Sequence, residues 1–556
     1  MGTTKGVSRR DVMQIASLAA ATAGVAAKAA AQPAPAPAPR RAGLGGGGEP
    51  GGIFWTVETG AGRVRGIANG QIKEFKGVPY GAPTGGANRF MPPKPAVPWS
   101  GVRNCIGYGP ISPQTPADLA TDYAMMIGWD RHVGPGGMGE DCLNLNIWTP
   151  GVNDDGRRPV LVSFHGGGWA TGSGNGPMYD GGQLARFGDV VVVTVNHRLA
   201  ANGYTHLVDL GAPAEFRYAG VCGVMDMVAS LQWVRDNIGR FGGDPNRVMI
   251  FGQSGGGSKV STLLAVPAAR GLFHRAAIQS GSTIRQATRE EASREAEKLT
   301  RALGLTRANI ADIQRVPWET LLEAQIASGG NFRPVVDGEV LPHHPFEPGG
   351  PAESADVPVI ISTTLHDAAL RLSNFDLDEA GLAAIFRRRF GPKGDQILAA
   401  YRAENPRQSP YLVQAEAFTD ASRGNAMLQG ERKARLGRAP AYLYVWDWAT
   451  PAFDGKFGAV HGHDVDASFH LVRNPIAGAG TRDGHMMADR LASTWVKFAA
   501  TGDPNNAAIP PWPPYEPGRR ATMVFDREMR VVDDYRGGFV RMIAEAVPTT
   551  PAPGRG

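Results

Sequence analysis

The sequence predicts an α/β fold built on a doubly wound, mostly parallel sheet, and three observations point there. Pro159-Val-Leu-Val-Ser-Phe164 and Asp189-Val-Val-Val-Val-Thr-Val195 are short, continuous apolar runs rich in β-branched residues. Runs of that kind suit strands buried on both faces, as in a parallel sheet covered by helices. Farther along, Val224, Val228, Leu231, Val234 and Ile238 recur at steps of four, three, three and four, the spacing of an amphipathic helix. Strands alternating with helices require crossover connections, and those produce a doubly wound sheet.

The remaining elements follow the same logic. Arg247-Val-Met-Ile-Phe251, Ala276-Ala-Ile278, Val357-Pro-Val-Ile-Ile361 and Ala441-Tyr-Leu-Tyr-Val-Trp446 continue the strand series, and Leu491, Trp495 and Phe498 mark a helix near the carboxyl end. The stretch 285–402, rich in charge and helix formers, predicts helical insertions over one end of the sheet. Across 556 residues, 42% hydrophobic and 20% charged, the composition excludes collagen, coiled coil and wholesale disorder. Three cysteines are too few for a disulfide framework, so stability must come from a large core.

The amino terminus reads as an export signal of the twin-arginine type over residues 1–31. Arg9-Arg10 precede a weakly apolar run from Ile15 to Ala27, then Lys28 and the small residues Ala29-Ala30-Ala31. That run is too short and too alanine-rich to cross a hydrocarbon core of roughly 30 Å, so no membrane span is expected in the mature chain. Residues 32–52, alternating Pro and Ala and then glycine-rich, read as a linker, and 53–556 as a single catalytic domain. Cleavage after Ala31 removes four basic residues against one acidic, which lowers the net charge from +5 to +2. A chain that close to neutral gives no reason to expect nucleic acid as a partner. Its location is expected to be periplasmic or secreted. Nothing in the residues specifies an oligomeric state.

The chemistry concentrates in two glycine-rich motifs. Gly252-Gln253-Ser254-Gly255-Gly256 follows the strand ending at Phe251 and precedes a helix. Small residues around Ser254 allow a sharp strand-to-helix turn that presents its Oγ above the sheet as a nucleophile. In a glycine-rich chain this pattern alone is weak, and the second motif supplies the support. His165-Gly166-Gly167-Gly168-Trp169 lies at the end of the strand ending in Phe164, where backbone N–H groups can converge on an oxyanion.

Longer segments resemble the type B carboxylesterases, a family that includes bacterial para-nitrobenzyl esterases and the cholinesterases. Phe241-Gly-Gly-Asp-Pro-Asn-Arg-Val-Met-Ile-Phe-Gly-Gln-Ser254-Gly-Gly256 is similar to the family's active-site signature, and Glu140-Asp-Cys-Leu-Asn-Leu-Asn-Ile-Trp-Thr-Pro150 to its second signature. The resemblance runs from about Gly66 to Arg536 and includes Phe75–Tyr80, Arg89–Pro93, Trp99–Arg103 and Phe332–Gly338. It implies an α/β-hydrolase fold and a serine hydrolase that cleaves small-molecule carboxylic esters through an acyl-enzyme, with no cofactor.

Residue by residue, the resemblance implies Ser254 as nucleophile, His461 as base, and Gly167, Gly168 and Gly255 as the oxyanion donors. Gly255 stands where the family usually has alanine. Ser280 matches a hydroxyl that braces the triad. The acid position falls on Asp367 in Thr363-Thr-Leu-His-Asp367, which departs from the family's usual pattern. The chain order of serine, acid and histidine agrees with this assignment.

Several alternatives stay open at this level. Asp367 could instead cap a helix beginning near Ala368. His463 is a rival base, and Asp464 and Asp466 are rival carboxylates. His461 and His463 could ligate a metal, but nothing nearby supplies a third ligand, so no metal is expected. Trp169 and Trp129 could line an apolar pocket. Cys142 is disulfide-bonded in many relatives, yet its usual partner position looks like Ser112 here, with Cys105 seven residues earlier. Cys222 is expected as a buried thiol. A binding protein on the same fold, or an amidase or acyltransferase using the same triad, would share these residues.

Overall fold

The computed structural model describes residues 52–116, 121–128 and 132–547. The export segment, all of the linker except Gly52, and Trp129 lie outside the described residues. One sheet runs through the described chain. Its strands are β1 (Phe54–Thr59), β2 (Gly62–Asn69), β3 (Ile72–Pro79), β4 (Val102–Asn104), β5 (Asn144–Thr149), β6 (Arg158–Phe164) and β7 (Val191–Val195). They continue as β8 (Gly243–Gln253), β9 (Arg275–Gln279), β10 (Val359–Thr364), β11 (Ala441–Trp446), β12 (Ala521–Phe525) and β13 (Arg530–Asp533).

The spatial order is β1-β2-β3-β5-β7-β6-β8-β9-β10-β11-β12-β13, with β4 paired to β2. From β7 through β12 every pairing is parallel. The strands before them, and β13 after, pair antiparallel apart from β4. The parallel core is the part expected from the continuous apolar runs. The antiparallel portion was not anticipated, because β1 and β2 carry only partial burial and a mixed polar pattern.

Period-two alternation explains how the two layers form. Val160, Val162, Phe164, Val248 and Ile250 face one core with Val224, Leu231 and Val234 of the helix Cys222–Asn237. Leu161, Met249 and Phe251 face the other, with Met487, Leu491, Trp495 and Phe498 of the helix Arg482–Thr501. Both faces are dry, which is why these strands read as unbroken hydrophobic runs. The predicted insertions are present as the helices Arg289–Ala302, Trp318–Ser328, Glu379–Phe390 and Gly394–Glu404. The last two join the 26-residue helix Pro410–Arg435 and the helix Gly537–Ala546 around a small apolar cluster of their own. Arg423 on the long helix donates to the carbonyl of Thr364 at 3.3 Å, so this helical group sits at the carboxyl end of β10.

All three cysteines are free and buried. Burial pushes the thiols of Cys105, Cys142 and Cys222 up to about 12, which leaves them inert at neutral pH.

Candidate active site

The site is built where β6, β8 and β10 end. Strand β8 stops at Gln253 and the helix Gly255–Leu263 begins two residues later, so Ser254 alone makes the turn. It sits at φ 60°, ψ −125°, a conformation costly for a residue with a side chain. Its N–H is held by the carbonyl of Gln279 at 2.8 Å. The turn is possible because the neighbours have no side chains: a Cβ at Gly256 would lie 2.0 Å from the Phe164 carbonyl, and one at Gly252 would lie 2.6 Å from it.

Gly167 and Gly168 adopt φ of 87° and 63°, accessible to glycine at little cost, and Gly168 is exposed. The loop they form rests on the first turn of the helix behind Ser254. A Cβ at Gly255 would come within 2.3 Å of Gly168 N and Gly168 O. The three backbone N–H groups expected to bind an oxyanion therefore belong to segments in direct backbone contact.

A buried lysine that the sequence reading passed over completes this support. Lys259, fully buried on the same helix, donates from Nζ to the His165 carbonyl at 2.8 Å. On the other side of that peptide, the N–H of Gly166 donates to Tyr179 Oη at 2.9 Å. The His165–Gly166 peptide is thus held from both faces just before the glycines. Burial lowers the Lys259 amine well below its ordinary value, and burial together with Lys259 does the same to the His165 ring. His165 Nδ1 lies 2.8 Å from the Gly166 carbonyl, so that nitrogen carries the ring proton. Its ring stacks on His197 with centroids 5.1 Å apart.

Asp367 begins a short 3-10 turn, Asp367–Arg371, three residues beyond β10. Its Oδ1 contacts His461 Nδ1 in a short hydrogen bond. The side chain is therefore not used as a helix cap; the Ala368 N–H is satisfied by Thr419 Oγ1 at 2.9 Å. The two loops are joined beside this contact. His366 N–H donates to the Ala459 carbonyl at 2.9 Å, and Ala459 N–H donates to His366 Nδ1 at 3.1 Å. Burial lowers His366 to about 3, so it stays neutral and accepts that bond across the physiological range. Tyr123 Oη donates to the His461 carbonyl at 2.9 Å and helps hold the loop.

The structure brings Asp367 and His461 together, and Ser254 stands at the end of β8, with β9 between it and β10. Gln253 and Gly462, the neighbours of Ser254 and His461, lie side by side, with a Cβ at Gly462 falling 3.7 Å from the Gln253 amide. Ser280, at φ 47°, lies beside them with its Oγ buried and unpartnered, and a Cβ at its neighbour Gly281 would fall 2.4 Å from the Ser254 carbonyl.

The rivals are engaged elsewhere. His463 Nδ1 accepts from Trp446 Nε1 at 3.1 Å, its ring lies against Trp448, and burial lowers it to about 3. Asp464 is fully buried and accepts from Tyr444 Oη at 2.7 Å. Burial raises Asp464, and it pushes Asp466 up to about 7. Trp169 packs edge-on against Tyr204. A cavity of about 600 Å³ opens onto Asp367, His461 and Ser280, within the range typical of small-molecule sites.

A doubly wound sheet carrying a strained serine at the end of a central strand, with a carboxylate and histidine in contact beyond it, defines an α/β-hydrolase. Residues 55–542 match the carboxylesterase family, and the chain belongs to it. It is 31% identical over 492 residues to the para-nitrobenzyl esterase of Bacillus subtilis (strain 168), covering 86% of this chain and 96% of that one. It is 34% identical over 498 residues to the phenmedipham hydrolase of Pseudarthrobacter oxydans, covering 85% and 95%. The carboxylesterase structure from Geobacillus stearothermophilus superposes with a TM-score of 0.74 at 34% identity, covering 88% of this chain and 99% of that one. The chain is a serine hydrolase of carboxylic esters.

Proposed function

We propose that Ser254, His461 and Asp367 form the catalytic triad of this esterase, with Gly167, Gly168 and Gly255 supplying the oxyanion hole and Ser280 bracing the group. The observation that carries this reading is the contact between Asp367 Oδ1 and His461 Nδ1. A carboxylate on Nδ1 keeps that nitrogen protonated and leaves Nε2 to take the proton of Ser254. Ser254 Oγ then attacks the ester carbonyl while the oxyanion is received by the three N–H groups. His461 returns the proton to the departing alcohol. Water, activated by the same imidazole, cleaves the acyl-enzyme and restores Ser254.

Ser254→Ala should lower hydrolysis of a short nitrophenyl ester by at least about 10⁴-fold, and Asp367→Asn should lower kcat by a similar order, both with little change in melting temperature. Near-wild-type turnover in Asp367→Asn would transfer the acid role to another carboxylate.

We infer the location of the enzyme from its amino terminus as well. Residues 1–31 act as a twin-arginine export signal, 32–52 as a linker, and 53–556 as the catalytic domain of a periplasmic or secreted enzyme. Arg9-Arg10 ahead of an alanine-rich stretch supports this, and no described helix is long and apolar enough to cross a membrane. Replacing both arginines by lysine should retain a full-length precursor in the cytoplasm; unchanged export would contradict the assignment.

A further inference from the structure

The cavity beside the base and acid is apolar on much of its wall, where Leu370, Leu372 and Phe418 line it, but two solvent-exposed arginines, Arg371 and Arg389, line it too. Arg371 closes the same 3-10 turn that Asp367 opens, so it is tied by four residues of chain to the acid. Arg389 comes from the last turn of the helix Glu379–Phe390, and its guanidinium stands 5.8 Å from the centre of the Phe418 ring. Neither has an ion-pair partner among the described residues.

The neighbouring arginines behave differently. Arg387, two residues earlier on the same helix, pairs with Asp395 at 2.8 Å, and Arg402 pairs with Glu379. Asp367 is the one carboxylate lining the cavity, and it is engaged by His461. Two positive groups with no counter-charge on a concave wall are matched by a negative group on whatever occupies it.

Resting on the assignment of Ser254 and His461 as the reacting pair, we propose that this cavity selects esters that carry a free carboxylate away from the scissile bond, such as monoesters of dicarboxylic acids or esters of carboxyphenols. Arg371 and Arg389 hold the carboxylate, and the apolar wall accepts the chain or ring between it and the ester. Hydrolysis then proceeds at Ser254 as for any ester, with water consumed and an alcohol and an acid released.

Two matched pairs of substrates test this: monomethyl adipate against methyl hexanoate, which places the charge in the acyl part, and 4-acetoxybenzoate against phenyl acetate, which places it in the alcohol part. In the purified wild-type enzyme, kcat/KM for the anionic member of at least one pair should exceed that of its neutral partner by about fivefold or more. That ratio should shrink as salt is raised from about 0.05 to 0.5 M, and it should fall to near one in the double variant Arg371→Gln/Arg389→Gln. Ratios of one or less in both wild-type pairs, or a preference that persists in the double variant, would overturn the proposal. Failure to hydrolyse the neutral esters as well would instead remove the Ser254 assignment on which it rests.

Discussion

Gly255 and Gly168 touch backbone to backbone: a Cβ built on Gly255 would lie 2.3 Å from both the nitrogen and the oxygen of Gly168. The helix behind Ser254 and the loop of Gly167 and Gly168 have therefore closed to a distance that glycine alone allows. The loop and the turn are matched to each other here. Gly255→Ala should force Gly168 outward and displace its N–H from the proposed oxyanion site. We expect kcat to fall by about 10- to 100-fold with a smaller change in KM, measured by steady-state hydrolysis of a nitrophenyl ester.

Lys259 leads to a second expectation. Its amine fixes the carbonyl of His165 at 2.8 Å, opposite the Gly166–Tyr179 hydrogen bond. Methionine has similar length and removes the donor together with its burial cost, and replacing a buried charge by an apolar side chain is often neutral for stability. Lys259→Met should hold its melting temperature within a few degrees while kcat falls by about tenfold or more, because the peptide before the glycines loses one of its two anchors. Unchanged kcat would mean that Tyr179 alone orients the loop.

His463 yields a pH dependence. It is neutral in the folded chain, where burial lowers it to about 3, whereas in the unfolded chain it protonates near 6.5. As pH falls through that window the unfolded state gains a proton that the folded state refuses, so the folded state loses stability on acidification. Glutamine cannot titrate. Urea unfolding at several pH values should show the stability gap between wild type and His463→Gln narrowing toward acid, by at most about 1.4 kcal/mol per pH unit. Parallel curves would place a proton on the buried ring.

Much of this was legible in the sequence where local chemistry writes a strong pattern. Strands β6, β7 and β8 announced themselves because both of their faces are dry, and the turn at Ser254 because it needs glycines after a strand. His461 and Asp367 came through resemblance, since the contact between them joins loops 94 residues apart and leaves no local mark. Lys259 was missed for a physical reason. A lysine in a serine- and threonine-containing helix reads as solvent-facing, and its burial follows only once Gly255 and Gly256 let the helix press against the ends of β6 and its loop. The antiparallel half escaped because strands with mixed exposure lack the continuous apolar signature. Whether Cys105 and Cys142 pair also depended on tertiary placement, and the two thiols are free.

Covalent labelling tests Ser254 as the nucleophile most directly. The purified enzyme, treated with a fluorophosphonate probe until activity is lost, should carry one adduct per chain, mapped by peptide mass spectrometry to Ser254, and Ser254→Ala should take up none. Inactivation with the adduct on a different serine, or undiminished labelling of Ser254→Ala, would contradict the assignment.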